Sequence, residues 1–234
     1  MKMQSKQITL AAIILSSISF GLGWLYGFKQ IPPSTKSARP LRGQTDIFNS
    51  YKEESANERF ELSLPKPDAV FLGDSITQAS AFNETFSTPA RIYNRGVSGD
   101  TTVDILNRLQ EIKDLQPKNV YLMIGINDLY TGATPTQVAE NISKIHDALS
   151  KEGIKTIVQE TIQCQPSKCP YTNEVNNLNK ILALKFKAEL LSLGELSSIN
   201  GLSENLTYDG IHLNKKGYEA WANQLRQTPS RYFK

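Results

Sequence analysis

Two hydrophobic patterns alternate along most of this chain. Ala69-Val70-Phe71-Leu72 and Val120-Tyr121-Leu122-Met123-Ile124 are short apolar runs that end at Gly73 and Gly125; Arg91-Ile92-Tyr93-Asn94, ending near Gly96, reads as a second strand and Ile154 to Val158 as a fourth. Between and after them, apolar residues recur at helical spacing. They do so over Thr101–Leu115 (Val103, Leu106, Leu109, Ile112), Pro135–Lys151 (Val138, Ile142, Ile145, Leu149), Asn173–Leu191 and Lys215–Arg226. Thr134 followed by Pro135 predicts a capped helix start with proline in the first turn. Strands separated by helices predict an α/β fold, with a mostly parallel sheet covered on both faces. In such sheets ligands bind beyond the carboxyl ends of the strands, which says where chemistry should sit.

The N-terminal part reads differently. Residues 7–28 carry no charge between Lys6 and Lys29. As a helix they would span about 33 Å, enough for a hydrocarbon core of about 30 Å. Trp24 and Tyr26 would then lie near an interface. The competing reading is a cleaved signal peptide, with Lys2 and Lys6, an apolar stretch Ile8–Leu15 and a small-x-small site at Ser17-Ile18-Ser19. The apolar run continues to Phe28, so an uncleaved membrane anchor over residues 1–28 is expected. Residues 29–44 then form a proline-rich linker, and 45–234 the folded domain, opening on a weak helix over Asp46–Leu62.

Charge sharpens this division. Of 26 Lys and Arg and 23 Asp and Glu, residues 1–39 hold five cations (Lys2, Lys6, Lys29, Lys36, Arg39) and no acid. The net +3 therefore belongs to the tail, and the folded part has no basic excess to support nucleic-acid binding. Cys164 and Cys169 read as a disulfide pair. A disulfide favours an exported, periplasmic or extracellular domain, either anchored or secreted after signal cleavage.

Ser75 follows the first strand in Gly73-Asp74-Ser75-Ile76-Thr77. A serine there is commonly just a helix cap, and the sequence is not a G-x-S-x-G elbow. His212 stands in Asp209-Gly210-Ile211-His212, where a carboxylate three residues earlier can accept Nδ1–H and leave Nε2 free as a base. His146, the other histidine, reads as a helix-surface or core-edge residue. Gly96, in Asn94-Arg95-Gly96-Val97-Ser98-Gly99-Asp100, offers a backbone N–H to a developing oxyanion, and Asn127, in Gly125-Ile126-Asn127-Asp128, offers a side-chain amide. Each is also an ordinary turn or cap residue taken alone. Together they fall at the predicted carboxyl ends of successive elements.

These four blocks, GDSIT, NRGVSGDTT, GIND and DGIHLN, occur in the order and spacing of the SGNH (GDSL) hydrolases, and the chain resembles that family from Asp68 to Trp221. The resemblance implies a flavodoxin-like three-layer sandwich around a five-stranded sheet. It also implies a serine esterase with Ser75, His212 and Asp209 as catalytic residues and an oxyanion hole of Ser75, Gly96 and Asn127. No metal and no cofactor is implied. The expected substrate is a small acyl ester or an acylated carbohydrate. An O-acyltransferase, a lysophospholipase or a thioesterase would use the same residues. A binding module without catalysis and a flavodoxin-like nucleotide binder are less consistent with the complete set. Cys164 and Cys169 fall at the same sheet edge, so their loop is either a wall of the substrate entrance or a staple.

Overall fold

The computed structural model describes residues 66–86, 88–228 and 233. The expected anchor over 7–28, the linker, the helix over 46–62 and the domain start at 45 lie outside them. Among the described residues no helix is long and apolar enough to cross a membrane.

Five strands form one sheet: β1 (Ala69–Gly73), β2 (Ile92–Gly96), β3 (Asn119–Met123), β4 (Lys155–Gln159) and β5 (Leu190–Leu191), in the order β2-β1-β3-β4-β5. Every pairing is parallel, and Gly73 lies level with Gly96 and Met123, so three strands end in one row. All of β1 is buried, as expected of a central parallel strand covered on both faces.

The helices are α1 (Ser75–Gln78), α2 (Phe82–Thr85), α3 (Thr102–Asn107), α4 (Leu109–Leu115), α5 (Ile126–Tyr130), α6 (Pro135–Ser150), α7 (Thr172–Phe186) and α8 (Lys215–Arg226). Thr134 caps α6 with a reciprocal capping box to Gln137, and Pro135 takes the first turn. Its Val138, Ile142, Ile145 and Leu149 are buried. Trp221 of α8 is fully buried, meets Phe82 edge-on at 5.0 Å and donates its indole N–H to Gln159 Oε1 at 2.8 Å. Phe71 of β1 joins this aromatic cluster, 4.6 Å from Phe82 and 5.8 Å from Phe233.

Two helices differ from the sequence reading. The helix expected over 101–115 breaks at Arg108 into α3 and α4, where the backbone leaves helical geometry (φ −104°, ψ 11°). The helix expected over 173–191 stops at Phe186. Lys187 takes a left-handed φ of 45°, a short 3-10 turn follows, and Leu190–Leu191 pairs with Val158–Gln159 as the edge strand.

Candidate active site

The turn from β1 into α1 sets Ser75 at the start of a helix without spending its hydroxyl on capping. Asp74 is the cap, accepting from the Ile76 N–H at 3.0 Å, and Ser75 Oγ is left free. Helix α1 has one turn, so neighbours must hold it. Tyr218 of α8 donates its hydroxyl to the Ile76 carbonyl at 2.9 Å. Asn94 of β2 donates its side-chain amide to the carbonyls of Thr77 and Ser80. Ser98 donates its N–H to Gln78 Oε1.

His212 lies in the loop before α8, and its Nε2 is 3.0 Å from Ser75 Oγ. Its Nδ1 is 2.6 Å from Asp209 Oδ2, while Asp209 Oδ1 accepts from the N–H groups of Ile211 and His212. Burial would raise the Asp209 pKa. The hydrogen bonds from the His212 ring and from the two N–H groups outweigh it and hold the carboxyl below its ordinary value. An ionised Asp209 fixes the proton on Nδ1, so Nε2 presents a lone pair to the serine hydroxyl. Tyr208 lies nearly parallel to the His212 ring at 5.9 Å and is itself exposed.

Asn127 sits in the first turn of α5 and donates one amide hydrogen to the Asp100 carbonyl at 2.9 Å, leaving its second available. Its neighbour Asp128 is buried and accepts from both the N–H and the hydroxyl of Thr102, tying α5 to the start of α3. Asp128 is assigned no such role from the sequence. Burial raises its pKa against the hydrogen bonds of Thr102.

Gly96 does not stand as the sequence reading expects. Its N–H is already donated to Asn94 Oδ1 at 2.9 Å. A side chain at Gly96 would meet the backbone of α1, with Gln78 N only 2.1 Å from a Cβ. The glycine therefore lets β2 approach α1, and its N–H is committed. Gly99, which the sequence reading did not consider as a donor, differs. It is exposed, makes no hydrogen bond through its N–H to another described residue, and precedes Asp100, whose carbonyl holds Asn127. The second glycine of the NRGVSGDTT block was its only sequence signal.

Arg108 was also missed. It donates to Asp100 Oδ2 (2.7 Å), Glu111 Oε1 (2.6 Å), the Arg95 carbonyl (2.9 Å) and the Gly73 carbonyl (3.3 Å), which binds the ends of β1 and β2 to the Asp100 loop. Cys164 and Cys169 form a disulfide in the segment between β4 and α7. His146 is paired with Asp147 and Glu189, away from this assembly.

The sequence profile of the GDSL-like lipase/acylhydrolase family matches residues 71–220, from β1 to α8. The chain belongs to that family. Among characterised relatives, the N-acylneuraminate cytidylyltransferase of Streptococcus agalactiae is 25% identical over 169 residues, which is 70% of this chain and 38% of that protein. Esterase TesA of Pseudomonas aeruginosa is 28% identical over 124 residues, 52% of this chain and 61% of that protein. The matched region thus spans less than two thirds of either relative. The GDSL-like lipase structure from Bacteroides thetaiotaomicron shares the fold, with a TM-score of 0.65 at 22% identity, covering 77% of this chain and 97% of that one.

Proposed function

We propose that this member of the family is a serine ester hydrolase in which Ser75 is the nucleophile. The observation that carries this reading is the continuous path from Ser75 Oγ through the His212 ring to the Asp209 carboxylate. Ser75 Oγ attacks the acyl carbonyl while His212 Nε2 takes its proton, and Asp209 stabilises the imidazolium. The imidazolium returns that proton to the leaving alkoxide. Water then enters with His212 again as base, and the acyl group departs as a carboxylic acid.

The oxyanion is assigned three donors: the Ser75 N–H, the uncommitted amide hydrogen of Asn127 and the Gly99 N–H. Gly99 replaces Gly96 because the Gly96 donor is occupied. A small acyl ester is the proposed substrate. The exposed rings of Tyr208, beside His212, and of Tyr130, three residues after Asn127, favour an acylated carbohydrate, whose flat apolar faces suit aromatic surfaces. The Cys164–Cys169 disulfide supports an exported domain, with residues 7–28 as its proposed anchor.

The test is hydrolysis of p-nitrophenyl acetate and of acetylated xylo-oligosaccharides by the wild type and Ser75→Ala. Loss of turnover in Ser75→Ala, with unchanged circular dichroism, is expected. Retention of most activity in that variant overturns the reading.

A further inference from the structure

The segment between β4 and α7 meets the Asp209–His212 turn at Gly210, and the contact is close. The Gln165 N–H donates to the Gly210 carbonyl at 2.7 Å. Gly210 lies between Asp209 and His212 with a left-handed φ of 98°, and a Cβ there would fall 2.5 Å from the Cβ and Cγ of Lys168. No side chain fits between the turn and this loop.

The loop is clamped from behind as well. The Leu202 N–H donates to the Cys164 carbonyl at 3.0 Å, and Gly201 approaches so closely that a Cβ would lie 2.6 Å from the Pro166 ring. Inside the loop, the N–H groups of Lys168 and Cys169 both donate to the Gln165 carbonyl, and the disulfide closes it. On its far side the turn is held by Thr207. The Thr207 hydroxyl donates to the His212 carbonyl at 2.7 Å and accepts from the Gly210 N–H at 2.8 Å. The turn bearing Asp209 and His212 is therefore caught between Thr207 and the disulfide loop.

We propose that the Cys164–Cys169 loop is a positioning element of the active site: the disulfide holds the Gln165 N–H against the Gly210 carbonyl and thereby sets where the His212 ring meets Ser75. This rests on the hydrolase reading above. It differs from both earlier expectations for the loop. An entrance wall acts on substrate binding and moves KM, and a staple acts on stability alone. A positioning loop acts on the alignment of base and nucleophile, so it moves kcat at constant KM. An ångström of misplacement in such a constellation costs up to about 10²-fold in rate.

Two interventions open the loop. Cys164→Ser with Cys169→Ser removes the crosslink. A dithiol does so reversibly in the wild type. The S–S bond breaks, the two protons and two electrons of the dithiol convert both sulfurs to thiols, and the dithiol closes to its own cyclic disulfide. Both cysteines are buried, so thiol titration must verify two thiols per chain before the rate is read.

The experiment uses the full chain and p-nitrophenyl acetate, with wild type and Ser75→Ala run first. Equal activity in those two defeats the hydrolase reading, not the positioning role. With that control passed, the reduced wild type and the double-serine variant are expected to lose about tenfold or more in kcat, with KM within twofold, at a temperature where circular dichroism shows both folded. Reoxidation restores the wild type only. Should the double-serine variant not fold, the reduced wild type, titrated and assayed in place, gives the same reading.

Gly210→Ala supplies the second measurement. Its methyl group presses on Lys168 while the loop is closed, so it should cost less in kcat after the disulfide is opened than before. Unchanged kcat in folded protein with two free thiols, or a Gly210→Ala effect that is the same with the loop open and closed, overturns the proposal.

Discussion

Ser75 Oγ and His212 Nε2 stand 3.0 Å apart across 137 positions of sequence, the serine at the start of the helix after β1 and the histidine in the loop before α8. Nothing local brings them together. Tyr218 does much of the work, since it ties α8 to the Ile76 carbonyl one residue beyond the serine. In the proposed mechanism the pair works only while Nε2 is the unprotonated nitrogen, which is the role proposed for Asp209. In Asp209→Asn the amide can still accept from the Ile211 and His212 N–H groups, but its NH₂ would face Nδ1 and favour the tautomer with the proton on Nε2. kcat for p-nitrophenyl acetate is expected to fall by about 10⁴-fold with the melting temperature nearly unchanged. A loss below about tenfold would leave the Asp209–His212 contact without a catalytic role.

Asn127 makes a different prediction because one of its hydrogens is structural and the other is free. Asn127→Ala removes the proposed oxyanion donor and is expected to lower kcat by about 10²- to 10³-fold, with KM little changed. The lost hydrogen bond to the Asp100 carbonyl should cost about 1 kcal/mol of stability, read by urea denaturation. A variant that loses stability but keeps its rate would confine Asn127 to holding the loop.

Gly96→Ala separates the two glycines of the second block. Its Cβ would collide with backbone atoms of Thr77 and Gln78, which cannot move aside as a flexible side chain would. The variant is expected to melt several degrees lower, or not to accumulate as folded protein. Gly99→Ala keeps its N–H and has open space around the new methyl group, so its cost is limited to the strained φ of 83°. Thermal denaturation of both variants under one condition compares them. Equal destabilisation would contradict the close approach of β2 to α1.

How far the sequence could be read is clear from these residues. β1 and β3 were legible because a buried parallel strand is continuously apolar, and the blocks bearing Ser75 and Asn127 fall where they end, whereas Asp209 and His212 lie in the loop before α8. What was not legible depends on atoms distant in sequence. Gly96 and Gly99 look alike in NRGVSGDTT, and only the folded position of the Asn94 side chain decides which N–H is spent. Leu190–Leu191 continues a helical period. It becomes β5 because Lys187 leaves the helix and β4 offers an unpaired edge. The period through Arg108 is likewise unbroken. The helix breaks where that side chain reaches four partners.

Arg108 should accordingly matter for stability more than a surface arginine does. It is largely buried and faces the carboxylate of Asp100, which is more buried still. Arg108→Ala would leave that carboxylate, already raised in pKa by burial, without its compensating cation and would take one donor from each of two strand-end carbonyls. A loss of about 2 kcal/mol is expected, less than for a fully buried pair because the guanidinium retains some solvent contact. Urea denaturation measures it. A change under about 0.5 kcal/mol would mean that solvent satisfies these groups in its place.

Asp74 gives a pH dependence whose sign can be worked out. Its carboxyl is fully buried, one oxygen accepts from the Ile76 N–H, and the other has no hydrogen-bond partner among the described residues. Burial is the largest influence and raises its pKa to about 7, against the hydrogen bond from Ile76 and the attraction of His212. In the unfolded chain the group ionises near its ordinary value of 3.8. Between these two pH values the folded state holds a proton that the unfolded state has released, so the Asp74 contribution to stability falls as pH rises. Below the lower value both states are protonated and the contribution is complete. Above about 7 both are ionised and the loss is constant. Asp74→Asn keeps an oxygen for the Ile76 N–H and cannot ionise. The melting temperature of Asp74→Asn minus that of the wild type should therefore climb by about 5 °C or more from pH 4 to pH 8, with most of the rise below about pH 7. Taking this difference cancels every other titrating group that the substitution leaves alone. A difference that stays flat across the range would mean that Asp74 enters the folded state already ionised, with solvent or a counter-charge reaching its second oxygen.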